Sequence, residues 1–301
     1  MRVHSMRSLR RMAWVGLTAL LAGCGSADPR PANGVQGAAE GESARAATPR
    51  AGGAESGDVS DSPRHGEYVM YTTAAGDSVR AFVVHPESPA PAPGVIVIHE
   101  IFGLTDWIRS VADRYAAEGF VTIAPDLLWG RGPGGGGTDA FADQDVVIAA
   151  IRELPPDLVK ARLDGARAYL RRLPGSTDAV GAVGFGWGGH QSFQYAAEQP
   201  ELDAAVVFYG SGPEPLARVA QIEAPVLGLY GGDDARVNAS IPEIVEAMAG
   251  AGKRYEKEIY AGAGHGFLRQ DEEGANAEAA ERAWPRSVEF LRAELAPAGS
   301  R

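Results

Sequence analysis

Residues 181–193 read GAVGFGWGGHQSF. Small apolar residues run to Phe185, then glycine, tryptophan and two more glycines lead into a helix-like stretch. A buried strand that turns sharply into a helix has this form. Such a turn leaves no room for Cβ atoms at Gly184 and Gly188. Between them the backbone is strained, with positive φ, and Gly186 takes up that conformation at little cost. The turn therefore presents its tip residue at the end of a strand, but here the tip has no side chain.

Outward from this turn the pattern repeats. Residues 94–99 (GVIVIH) form a continuous apolar run, as in a strand buried on both faces. A helical stretch over 107–118 follows, closed by Gly119, and then a second buried strand at 120–124. Further strands are predicted at 179–184, 204–209, 226–230 and 255–260, and helices at 188–198, 241–251 and 276–295. Helical spacing also runs from about 140 to 173, broken at Pro155-Pro156. The stretches 67–73 and 78–85, joined by Ala-Ala-Gly-Asp, read as a hairpin, and GPGGGGT (132–138) as a mobile loop. Alternating buried strands and amphipathic helices predict one α/β domain over 66–297, a mostly parallel central sheet with helices on both faces.

The 301-residue chain is 45% hydrophobic and 22% charged, with formal net charge −11, ordinary for a globular protein. That charge, with no basic stripe, argues against nucleic acid as a partner. The first residues differ in kind. Arg2, Arg7, Arg10 and Arg11 precede an apolar run, 12–21, and then Leu-Ala-Gly-Cys, 21–24. This predicts a lipoprotein-type signal (1–24) with acylation of Cys24, and so a membrane-anchored protein of the cell envelope. An ordinary signal peptide or a short anchor is the alternative. Cys24 is the chain's only cysteine, which leaves no disulfide and no cysteine nucleophile for the domain. Residues 25–65, rich in Gly, Ala, Ser and Pro, predict a disordered linker.

In an open parallel sheet, functional groups gather where strands end. Four strand ends stand out: His99-Glu100-Ile101-Phe102-Gly103, the 184–189 turn, Gly231-Gly232-Asp233-Asp234, and GAGHGF at 262–267. The order elbow, acid, histidine is that of a nucleophile–acid–base triad. His265 fits the base, Asp234 the acid, and Asp233 is the competing acid. Backbone N–H groups of Ile101 and Trp187 are placed to meet an oxyanion. Ser192, six residues into the elbow helix, is expected below the site, and Ser211 along its wall. His190 faces either the site or the packed helix surface. Asp126 is expected to cap a turn or hold Arg131. Trp107, Trp129 and Trp187 are candidates for pocket walls. HEIFG lacks the second histidine of a zinc helix, so no metal or cofactor is expected.

On these motifs the stretch from about 67 to 295 resembles the dienelactone hydrolase family of α/β-hydrolases. The family's G-x-C-x-G-G turn is here GFGWGG, with Gly186 in place of the nucleophilic Cys. The resemblance maps the family's acid onto Asp234, in Asp-Ala-Arg-Val, and its histidine onto His265. A Glu that contacts the resting thiol maps onto Glu100. Two arginines that hold an anionic substrate map onto Arg269 and, less closely, Arg131. The resemblance implies a hydrolase of ester or lactone bonds in small substrates, with the His–Asp pair activating water. The alternative is a binding protein on the same scaffold, holding a small carboxylate or aromatic ligand without turnover.

Overall fold

A computed structural model describes residue 59 and residues 62–297, apart from residue 272. The expected signal segment, Cys24 and most of the linker lie outside the described residues. Among the described residues no helix is long and apolar enough to cross a membrane.

Eight strands form one sheet: β1 (Gly66–Thr72), β2 (Ser78–Val84), β3 (Ala92–Ile98), β4 (Val121–Pro125), β5 (Ser176–Phe185), β6 (Ala204–Phe208), β7 (Val226–Gly231) and β8 (Tyr255–Tyr260). Their spatial order is β1-β2-β4-β3-β5-β6-β7-β8. The β1–β2 hairpin and the β2–β4 pair are antiparallel, and every other pair is parallel. The helices are α1 (Asp106–Ala117), α2 (Gln144–Arg152), α3 (Pro156–Leu170), α4 (Trp187–Glu198), the short α5 (Ala235–Asn238), α6 (Ile241–Gly250) and α7 (Ala277–Leu295).

Strand side chains alternate between the two faces, so continuous apolar runs feed two cores. Val95, Val97, Val183 and Phe185 pack with Trp107, Ile108 and Val111 of α1 and Ala280, Trp284 and Leu291 of α7. Ile96, Ile98, Val180 and Ala182 pack on the other face with Leu163 of α3, Phe193 of α4 and Met248 of α6. Helices therefore cover both faces, as expected. Pro155 ends the helical pattern that begins at α2, and Pro156 starts α3 with a φ already suited to the first turn.

The loop over 132–138 departs from expectation. Instead of a mobile excursion, it folds into two 3₁₀ turns, Pro133–Gly135 and Thr138–Ala140. Asp126 holds it in place. Its carboxylate accepts from the Thr138 N–H at 2.9 Å and the Thr138 hydroxyl at 2.8 Å, while the Leu104 N–H donates to the same hydroxyl at 3.0 Å. Four glycines in a row, 134–137, concealed a loop tethered by one buried carboxylate.

Candidate active site

The carboxyl ends of β3, β5, β6 and β7 and the loop after β8 converge on one cavity of about 520 Å³. It is lined by Ile101, Gly186, Trp187, Tyr209, Arg236 and His265, with Arg152, His190, Ser211, Glu214 and Val237 around them. That volume suits a small ligand.

The turn at its floor is built as the glycines require. Gly186 has φ 55° and ψ −111°. A Cβ at Gly184 would lie 1.9 Å from the Gly188 carbonyl oxygen, and one at Gly188 would lie 2.3 Å from that of His99. The strand and helix approach this closely only because both residues lack side chains. A Cβ built on Gly186, in contrast, would meet no backbone atom, only a tight side-chain contact that the imidazole would relieve by a few tenths of an ångström. It would stand 3.3 Å from His265 Nε2 and 4.0 Å from Tyr209 Cδ2, with nothing nearer. The imidazole thus faces the place where a nucleophile's side chain would begin.

His265 is held from behind. Its Nδ1 lies 2.6 Å from Asp234 Oδ2. The Asp234 side chain is 4% exposed and that of His265 44%, so the carboxylate is dry while the ring meets the cavity. Asp234 Oδ1 accepts from the Val237 N–H at 3.2 Å, capping α5 and fixing the carboxylate. Asp233 is exposed, and its backbone is occupied in turns with Ala263 and Ala235. The pairing falls to Asp234. With Nδ1–H donated to Asp234, the lone pair of Nε2 is directed to Gly186.

Tyr209 completes the floor. It follows β6 at φ 41°, a region few non-glycine residues occupy. Its N–H donates to the Leu229 carbonyl at 2.8 Å. Its ring meets the His265 ring edge-on, with centroids 5.2 Å apart, and also packs on Phe267. Strain at such a position is retained when the surroundings over-determine it. Here it sets the ring against the imidazole. Sequence reading passed Tyr209 over as the end of an ordinary strand, because backbone conformation leaves no mark in residue identity.

Ile101 and Trp187 both line the cavity. Trp187 is the first residue of α4, so its N–H has no partner within the helix. The indole stacks on the buried His99, at 5.6 Å between centroids. His99 spans two loops: its Nδ1–H donates to the Glu100 carbonyl at 2.7 Å, and its Nε2 accepts from the Leu127 N–H at 3.3 Å. Burial disfavours its charged form and lowers its pKa.

The other expected site residues lie elsewhere. No Glu100 atom lies within 4.0 Å of a Cβ built on Gly186. Its Oε2 accepts from Arg269 Nη1 at 3.1 Å, and both side chains are nearly covered. Arg269 also donates to Asp271 at 2.7 and 3.2 Å, and its guanidinium lies over Phe102 and Trp107. Burial works against its charge, but Asp271 and Glu100 outweigh that and raise its pKa. Arg269, expected to hold a substrate anion, is here paired with two carboxylates and is not among the cavity residues. Arg131 is exposed in the turn after β4 and is not among the cavity residues. Asp126 caps its own turn at Leu128 and lies 3.7 Å from Arg80, leaving Arg131 alone.

Ser192 is buried beneath the turn, as its helical position implied. Ser211 lines the cavity, and its Oγ lies 3.1 Å from His190 Nδ1. That contact does not activate the serine. His190 Nδ1 is also 2.9 Å from the Gly212 carbonyl, which can only accept, so Nδ1 carries the proton. Of the three tryptophans, only Trp187 lines the cavity. Trp107 packs on Phe185, and Trp129 lies under Arg80. Arg152 and Arg236 went unnoticed in the sequence. Arg236 sits two residues beyond Asp234 and is findable from that motif, whereas nothing local marks Arg152.

Strand order, elbow and the histidine–aspartate pair define an α/β-hydrolase. The comparisons narrow this. The dienelactone hydrolase family model matches residues 79–295. A Saccharolobus solfataricus protein named as a carboxymethylenebutenolidase is 32% identical over 255 residues, covering 75% of this chain and 98% of its own length. An Escherichia coli K12 protein of the same name is 33% identical, covering 72% and 83%. A crystal structure titled as a dienelactone hydrolase from Klebsiella pneumoniae superposes with TM-score 0.66 at 29% identity, covering 75% of this chain and 98% of the other. The chain belongs to the dienelactone hydrolase family.

Proposed function

We infer that the protein hydrolyses ester or lactone bonds of small substrates by direct attack of water, with His265 as base. The observation that carries this reading is the 3.3 Å between His265 Nε2 and the Cβ position of Gly186, with Asp234 2.6 Å behind the ring. A water oxygen in the place of the absent nucleophile is within hydrogen-bond range of Nε2. His265 takes its proton as the oxygen attacks the carbonyl carbon. The tetrahedral oxyanion is met by the N–H groups of Ile101 and Trp187, and His265 then returns the proton to the leaving alkoxide. Relatives named for a butenolide lactone support a lactone or an activated ester as substrate. Serine proteases stripped of triad members retain ~10³–10⁴-fold catalysis over water. A preserved base adds to such a floor, so reactive esters and lactones are the substrates within reach.

The test is hydrolysis of 4-nitrophenyl esters and a strained lactone by the full chain. His265→Ala is expected to lower kcat/KM at least ~100-fold, the lower range for a general base. An unchanged rate overturns the reading. Gly186 itself favours a second reading, a binder without turnover, and its mark is no hydrolysis of any of these substrates by the wild type.

The N-terminal pattern supports a further part of this proposal: the domain is tethered to a membrane of the cell envelope through acylated Cys24. Labelled palmitate is expected in the expressed chain and absent from Cys24→Ser. Label retained by that variant, or absent from the wild type, refutes the tether.

A further inference from the structure

We propose that His99 is a positioning residue of the site: its imidazole pins the Glu100–Ile101 peptide from behind, so that the Ile101 N–H is presented to the cavity as an oxyanion donor. The positioning stands on the geometry of this chain, and its effect on turnover rests on the hydrolase reading above.

The Ile101 N–H belongs to the same peptide as the Glu100 carbonyl. That unit is planar and trans, so its N–H and C=O point in opposite directions. Whatever holds the carbonyl therefore aims the N–H. The Glu100 carbonyl accepts from His99 Nδ1 at 2.7 Å and from the Gly103 N–H at 3.2 Å. These bonds hold the oxygen on the side of the buried ring and leave the Ile101 N–H on the opposite side. Among the described residues no backbone carbonyl accepts from that N–H, and Ile101 lines the cavity. Rotation of this one peptide would withdraw the donor and bring a carbonyl oxygen toward the place where negative charge develops.

The ring that does the pinning is itself fixed. It is fully buried and stacks on the Trp187 indole, with centroids 5.6 Å apart and planes 16° from parallel. Its Nε2 accepts from the Leu127 N–H at 3.3 Å, so a single neutral tautomer, with the proton on Nδ1, satisfies both bonds. The Leu127 peptide is clamped in turn. Its carbonyl accepts from Arg162 Nη1 at 2.8 Å, and Arg162 Nε donates to Asp77 at 2.9 Å. A chain of polar contacts thus runs from the β1–β2 turn, through the protein interior, to the peptide that borders the cavity. A buried network with its partners in place rigidifies what it touches. A donor held rigid beforehand costs no reorganisation when the oxyanion forms.

The test sets two variants of the full chain against each other. His99→Gln keeps a donor and an acceptor but no ring. His99→Phe keeps a ring to stack on Trp187 but neither hydrogen bond. His99→Phe is expected to lower kcat for 4-nitrophenyl acetate about tenfold or more with KM changed less than about threefold, and His99→Gln to recover most of that loss. A residue that only packs gives the reverse order, which overturns the proposal, as do equal losses in the two variants. A readout without turnover is 4-nitrophenyl methylphosphonate, whose tetrahedral anionic group stands in for the oxyanion. It is expected to shift the Ile101 amide proton of the wild type in NMR, and to bind His99→Phe about tenfold more weakly by calorimetry. If wild type cleaves no ester, the hydrolase reading has failed, and the phosphonate alone decides the positioning. No phosphonate binding by wild type, or equal binding by His99→Phe, overturns the proposal. Nitrogen-15 NMR of the wild type needs no variant to fold: the proton of the neutral His99 ring is expected on Nδ1, and a proton on Nε2 instead overturns the proposal.

Discussion

Two sides of the same site have been treated differently. On one, Gly186, His265, Asp234 and Tyr209 keep a spacing that serves a nucleophile the chain does not have. On the other, Glu100 and Arg269 pair with each other, with Asp271 and the rings of Phe102 and Trp107 beside them. The first side faces the cavity, and the second is sealed. The backbone turn is fixed by the approach of β5 to α4 and by β3 behind it, and the imidazole by Asp234. None of these depends on what stands at position 186. Glu100, which the family resemblance pairs with a resting thiol, has no thiol here and rests on a guanidinium.

The largest effect that sharpens this contrast comes from restoring the side chain. Gly186→Cys, made with Cys24→Ser so that the new thiol is the only one, is expected to raise ester hydrolysis about 100-fold. It should also accumulate an acyl-enzyme visible by mass spectrometry. A Cβ at φ 55° costs on the order of 1–3 kcal/mol of stability, which the contact distances allow the fold to bear. The thiol should also react with iodoacetamide faster than an exposed cysteine. A folded variant with an inert thiol and unchanged turnover would mean that the open side does not converge on position 186.

The sequence disclosed these two sides unequally. The open side was readable because its constraints act on residue type. Glycines at 184 and 188 are demanded by backbone contact, Asp234 and His265 follow the ends of recognisable strands, and each strand announces itself as an apolar run. The sheet was readable for the same reason, with strand boundaries off by at most three residues. The sealed side was not readable. That Arg269 would spend its donors on Glu100 and Asp271 depends on rotamers, and two carboxylates near one arginine in sequence or fold do not say which way it points. Arg152 reaches the cavity only through the path of α2, set by how the proline break places two helices. The 132–138 loop was misread because composition reports what a backbone is free to do, while Asp126, six residues earlier, determines what it does.

The smaller effect falls on the sealed side, where Glu100→Gln removes the charge and keeps the shape. If Glu100 serves chiefly to neutralise Arg269, its loss is felt in stability and hardly in chemistry. Breaking a buried ion pair from one end costs as much as 3–5 kcal/mol when the remaining charge has no other partner. Arg269 keeps Asp271, whose side chain is mostly exposed and screened by water, so a loss of about 1–2 kcal/mol is expected. For a domain of this size that is a Tm lower by roughly 2–8 °C. Hydrolysis of the 4-nitrophenyl esters should change less than about threefold, because no Glu100 atom lies within 4.0 Å of the Gly186 Cβ position. A tenfold or greater fall in kcat at an unchanged Tm would place Glu100 in the proton transfer and erase the distinction between the two sides. Arg269→Gln supplies the control. It should lower Tm by a similar amount and leave Glu100 buried without its cation, and the double substitution with Glu100→Gln should restore part of the loss, as coupled partners do.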